Sequence, residues 1–210
     1  MSLGIANAQD VTPAPADETP INFTINGFYN LGATYNSSDA VYIRDLAQIR
    51  THHNNFSVVT DTRLGIQVLA DFSPQWRAAL QVTGRNGVDY ANGDAVEWAF
   101  LRYQPNENWA FRAGRLGVDM FMLSDFRNVG YTYPWVRPVQ DFYGLIPFFQ
   151  YDGLDAQYRT NIADGEFKIK GNIGRSSSTF RTTAGDFRLH GNDLISLSLD
   201  WNNDLIHLRS

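Results

Sequence analysis

The chain of 210 residues contains no cysteine, so neither a disulfide framework nor a thiolate site can form. Its four histidines, His52, His53, His190 and His207, lack the His-Glu-x-x-His spacing of a zinc site and read as surface residues. No P-loop, GxGxxG or GxSxG signature is present, and no cofactor is implied. No window approaches the roughly 18 consecutive apolar residues of a transmembrane helix. That excludes a helical span only, because membrane strands hide their apolar residues by alternation. The net charge of -5 offers no basic surface for nucleic acid.

At the N-terminus, Ala6-Asn7-Ala8 ahead of Gln9-Asp10 has the small-residue character of a signal cleavage site, without the charged and apolar run that precedes one. Residues 1–4 therefore read as added ahead of a signal remnant. Residues 9–20, rich in Pro, Ala, Asp and Thr, read as a flexible leader. Residues 1–20 are thus set apart from a single domain over residues 21–210.

From Ile21 onward a period of two takes over. Phe23, Ile25, Gly27, Tyr29 and Leu31 alternate with Asn22, Thr24, Asn26, Phe28 and Asn30. Leu64, Ile66, Val68, Ala70 and Phe72 oppose Arg63, Gly65, Gln67, Leu69 and Asp71, and after Ser73-Pro74-Gln75 the pattern resumes with Trp76, Ala78, Leu80 and Val82 against Arg77, Ala79, Gln81 and Thr83. Further segments cover residues 96–103, 109–115, 149–159, 166–173 and 194–201, with a ninth beginning near Leu205. In the fourth, Arg102 is assigned to the polar side and Ala99, Leu101 and Tyr103 to the apolar side.

The connections alternate in length. Residues 73–75, 105–108, 161–165 and 202–204 read as short turns, whereas residues 35–61, 86–95, 117–147 and 176–191 read as long loops. Short turns on one rim and long loops on the other, joining alternating segments of about ten residues, form the pattern of an outer-membrane barrel. Ile43, Leu46, Ala47 and Ile49 have helical spacing inside the first long loop.

The longest connection, residues 117–147, is too long for a simple turn and carries Phe121, Phe126, Tyr131, Tyr133, Trp135, Phe142 and Tyr143. So many rings need an apolar or confined place, and Pro134, Pro138 and Pro147 forbid a long regular element. The expectation is a loop folded inward that narrows a barrel lumen. Its charges, Asp119, Asp125 and Asp141 against Arg127 and Arg137, would face a wall bearing Arg63, Arg77, Arg85, Arg102, Arg112, Arg159, Lys168 and Lys170 against Asp71, Asp155, Glu166 and Asp200. The imbalance on the wall favours weak anion preference.

These features resemble the Gram-negative outer-membrane porins. In that family a strand ends in a Gly-Arg pair and the third long loop folds into the barrel; here Gly114-Arg115 closes the fifth segment and the longest loop follows. The resemblance implies an all-β, antiparallel transmembrane β-barrel of porin type, a passive channel for small hydrophilic solutes in the outer membrane, with membrane lipid as partner, a homotrimeric assembly and no enzymatic activity. It also implies that Arg115 joins the lumen-facing basic cluster, although strict alternation puts it with Phe111 and Ala113. The acidic Pro-Glu-Phe-Gly-Gly-type segment of many porins is missing, so selectivity does not transfer. The likeness covers residues 21–210 as about the first half of a sixteen-stranded barrel, and a truncated chain is the expectation. Two other readings stay open: a soluble β-sandwich that binds or hydrolyses carbohydrate, with Asp119 and Asp141 beside Trp135, and a non-channel adhesive or structural barrel.

Overall fold

The computed structural model describes residues 21–37, 56–86, 93–119, 148–182, 185–203 and 205–210. Among these residues every regular element is a strand: β1 (Asn22–Asn30), β2 (Thr34–Tyr35), β3 (Phe56–Ser57), β4 (Arg63–Asp71), β5 (Trp76–Arg85), β6 (Val96–Tyr103), β7 (Trp109–Gly117), β8 (Gln150–Ile162), β9 (Gly165–Thr182), β10 (Gly185–Asn202) and β11 (His207–Arg209). β2 and β3 pair with each other. The other nine form one antiparallel sheet in the order β1-β4-β5-β6-β7-β8-β9-β10-β11. No ladder joins β1 to β11 among the described residues, so the sheet is open rather than closed into a barrel.

Local chemistry sets the short turns. The Ser73 hydroxyl accepts from the backbone N–H groups of Gln75 and Trp76, both at 3.2 Å, and the Asn106 side-chain oxygen accepts from Asn108 and Trp109 at 3.0 and 2.9 Å. Asn203 caps the last turn in the same way, through Leu205 and Ile206. Between β8 and β9, Ala163 and Asp164 both have positive φ, 52° and 59°, as a two-residue hairpin of the primed type requires.

The connection expected over residues 176–191 is instead mostly ladder. β9 and β10 continue pairing out to Thr182 and Gly185, interrupted by an irregularity between Gly191 and Leu194. Serine- and threonine-rich composition disguised these strands, because polar residues on both parities erase the alternation. The helical spacing around Ile43 and most of the 117–147 loop lie outside the described residues.

The register confirms two chemically distinct faces. Ile25, Val68, Leu80, Leu101, Leu154, Ile173, Ile195 and their same-parity neighbours share one face. Arg63, Gln67, Gln81, Arg102, Asp155, Lys170 and Asp200 share the other. Phe28, an aromatic on the polar parity of β1, lies over Gly65, filling the space that the missing side chain leaves.

Curling of the sheet follows from one contact. Lys170 stands opposite Gln157, which stands opposite Ala110. Val118 still donates to Phe149 O at 3.0 Å and so remains on the β7–β8 ladder. In a flat sheet the Lys170 row would cross β7 at Ala110, eight residues from Val118, which is about 26 Å of strand. Yet Lys170 Nζ is 3.1 Å from the carboxylate of Asp119, the next residue. One peptide step and two extended side chains fall well short of 26 Å, so the sheet must coil onto its polar face.

A cross-strand row that narrows to three glycines makes that coil sterically accessible. Leu69, Ala79, Phe100, Gly114, Gly153 and Gly174 are successive partners across β4 to β9. A Cβ on Gly114, Gly153 or Gly174 would sit 2.3, 2.2 or 2.7 Å from a neighbouring strand's carbonyl oxygen, and Gly114 has φ 130°. Beside this crease Leu69, Ala79, Phe100, Leu116, Val118 and Tyr151 form the buried apolar cluster, with Trp98 and Phe148 against it. We expect Gly153→Ala to lower unfolding stability by about 1–3 kcal/mol or more. Gly171→Ala, whose Cβ would meet nothing closer than 4.0 Å, should be nearly neutral in the same denaturant titration. Equal midpoints for the two variants would refute the crease.

Candidate functional site

The polar face carries the chemistry, and alternation delivers it there: every second residue of β4 to β10 points to this side. Across its centre Arg77, Arg102, Arg112 and Asp155 are consecutive cross-strand partners. Arg77 donates to Asp71 from Nη2 at 2.8 Å. Arg112 Nε donates to both Asp155 oxygens at 3.0 Å, and its guanidinium lies 5.3 Å from the centroid of the Phe100 ring. Tyr151 OH donates to the same carboxylate at 3.3 Å.

Arg102, between these two arginines, is only 7 % exposed and has no carboxylate partner among the described residues. Arg159 on the same face spends its Nε–H on the Glu107 carbonyl, 2.7 Å away, rather than on an acid. Neither cation thus has an ion-pair partner among the described residues, and both stand beside a buried arginine row. Like charges so close repel, and an anion in front of them relieves that repulsion.

Further along the face Asp119 holds two cations at once. Lys170 Nζ is 3.1 Å from one carboxylate oxygen and Arg209 Nη2 2.7 Å from the other, while Arg209 also donates to the Asp119 carbonyl at 2.9 Å. Lys170 lies 3.9 Å from Asp155 as well. Asp200 sits among Lys168, His207 and Arg209 at 3.5, 3.5 and 3.6 Å. A continuous charge network therefore joins the end of β7 to β9, β10 and β11. No group of three or more His, Cys, Asp or Glu suited to a metal occurs among the described residues.

Of the residues expected from sequence, Arg63, Arg77, Arg102, Lys168 and Lys170 share the polar face, and Asp119 is tied to it. Arg115 requires a correction. The β7–β8 register runs unbroken from Trp109 to Gly117, so Arg115 keeps the parity of Ala113 on the apolar side. There it pairs with Asp152 at 2.8 and 3.0 Å and donates to Gly93 O at 2.9 Å. Gly114 takes up the local bend through its positive φ without adding a residue, so the parity is never reset. Asp125, Arg127, Arg137, Asp141, Phe121, Tyr131, Tyr133, Trp135 and Tyr143 lie outside the described residues.

Sequence reading missed Arg209, Gly153 and Gly174. The first lies in a three-residue strand, too short for periodicity, and the glycines gain meaning only once they are aligned with Gly114, a register that the long β7–β8 connection leaves unspecified. Comparison with known protein families, with curated proteins and with solved structures returns no match to this chain.

The Asp119 carboxyl illustrates how the network works. Burial pushes its pKa up, but Lys170 and Arg209 together outweigh burial and hold it below the ordinary value of 3.8. Its contribution to stability is therefore complete above pH 3.8 and is lost as pH falls through the lowered folded-state value. Asp119→Asn should destabilise the fold toward the lower end of the roughly 3–5 kcal/mol of a broken buried pair, because Lys170 keeps Asp155. The variant should also show a shallower loss of stability below pH 4 than the parent; identical acid titrations would remove Asp119 from the network.

Proposed function

We propose that this chain forms the wall of a membrane β-barrel channel, apolar face in lipid and polar face on a water-filled bore, through which small hydrophilic solutes diffuse. One observation carries the reading: burial runs opposite to that of a soluble protein. Ile195, Ile25, Leu197 and Phe23 are 72, 71, 69 and 63 % exposed, whereas Arg63, Lys170 and Asp200 are 3–4 % exposed. A soluble sandwich covers its apolar face and wets its polar one, at about 25 cal/mol per Å² of apolar area. An apolar face this broad, continuous over nine strands, calls for a nonaqueous neighbour.

Two further features support lipid as that neighbour. At the short-turn end of the apolar face Trp76, Tyr103, Trp109, Phe111 and Tyr158 form an aromatic belt, with ring centroids 4.6 Å apart for Trp76–Tyr103 and 4.9 Å for Trp109–Tyr158. Aromatic girdles mark the interfaces of transmembrane barrels. Strands β1, β4, β5, β6 and β7, of 8–10 residues, have the length that a tilted spanning strand needs. The reading extends to the outer membrane of a Gram-negative bacterium and, by resemblance, to a homotrimer.

Arg102 and Arg159, without an ion-pair partner among the described residues, favour anions in the bore. In planar bilayers under a potassium chloride gradient the channel should show a reversal potential on the anion side, and Arg102→Gln should move it toward zero while leaving conductance within about twofold. Cation preference in the parent would sink the selectivity reading. Absence of both conductance and heat-modifiable gel mobility would sink the channel itself.

A further inference from the structure

Along one cross-strand row of the apolar face the residues are Trp76, Tyr103, Phe111, Ala156, Gly171 and Leu197. Two small residues thus interrupt a line of large ones. Ala113, on the next row of β7, continues the gap, and the result is an apolar depression of about 720 Å³. Phe111 and Tyr103 wall it on one side, Leu197 and Ile195 on the other. The space above the floor is open, since a Cβ on Gly171 would touch nothing within less than 4.0 Å.

We propose that this depression seats one hydrocarbon chain of a bilayer lipid, held in place rather than exchanging freely with its neighbours. The inference rests on the reading of this face as lipid-exposed. The chemistry of the lining selects the occupant. Ligand sites that recognise polar molecules place a few convergent polar groups among apolar ones. Here Arg112, Asp155, Asn172 and Ser196 line the depression from strands whose side chains at those positions belong to the opposite face, where Arg112 is bonded to Asp155 and Ser196 to Asn172. The charges that share the apolar parity nearby, Arg115 paired with Asp152 and Arg175 opposite Asp152, stand beyond it toward the loop rim and do not line it. Trp76 and Tyr103 bring an indole N–H and a hydroxyl to the belt end of the depression, where a headgroup would sit, and the floor and the far wall are hydrocarbon.

Shape separates a lipid chain from a second copy of the protein. A sheet face presents stiff side chains about 4.8 Å apart from strand to strand. Resting on Phe111, Ile195 and Leu197, which are 39, 72 and 69 % exposed, such a face fills the Ala156–Gly171 floor only where it presents a large side chain in register with it. A saturated chain with free torsions can fill it. The depression also begins at the aromatic belt, so a headgroup at the level of Trp76 and Tyr103 would place its chain directly over the floor.

The test is electron paramagnetic resonance of phosphatidylcholine spin-labelled near the chain end, in phosphatidylcholine vesicles containing the protein. We expect the parent to hold one more motionally restricted chain per molecule than Gly171→Leu or Ala156→Leu, which fill the depression, with heat-modifiable mobility and conductance alike in all three. An unchanged restricted count in folded, conducting variants would overturn the seat. A variant that gained restricted lipid while its cross-linked oligomer dissociated would overturn it in favour of a docked copy. If neither parent nor variants partitioned into vesicles, the parent reading of a membrane wall would be the one to fall.

Discussion

A sheet can coil sharply only where no Cβ obstructs the approach of neighbouring backbones, and in this protein a row of three glycines meets that constraint. Gly114, Gly153 and Gly174 stand side by side across β7, β8 and β9, each with a carbonyl oxygen where a side chain would begin. With the crease in place, residues that lie far apart along a flat sheet come within reach. Asp119 meets Lys170 and Arg209, and the Phe100–Leu116–Tyr151 cluster closes beside it. Removal of the crease would leave the polar face an array of separate charges rather than a connected network.

That network explains how so many ionised groups tolerate burial. Each of Asp119, Asp155 and Asp200 is shared between at least two cations or donors. Sharing offsets desolvation, whereas an isolated buried charge would cost several kcal/mol. Arg102 departs from the scheme, and its position between Arg77 and Arg112 concentrates positive potential at one place on the face. On the other side the protein has the opposite economy: apolar residues stand exposed, and the Arg115–Asp152 ion pair sits at the rim.

Much of this was legible from residue order. Alternation assigned Arg63, Arg77, Arg102, Lys168 and Lys170 to one side, and it also objected to Arg115 on that side, an objection the register upholds. Resemblance to a family motif pulled Arg115 the other way, because the Gly-Arg pair is visible in sequence whereas the φ of Gly114 is not. The β9–β10 extension was hidden by serine and threonine on both parities, which carry no face information.

By itself the sequence determined the strand class, the two-faced chemistry and the short turns, because each follows from interactions among residues two to four apart: pleat alternation, and side-chain oxygens accepting from nearby amides. The tertiary structure alone decided the coil, the Asp119 clamp, the placement of Arg102 between two other arginines and the depression over Ala156 and Gly171. These depend on which residues meet across neighbouring strands, and that register is a property of pairs of strands that no single strand's pattern specifies.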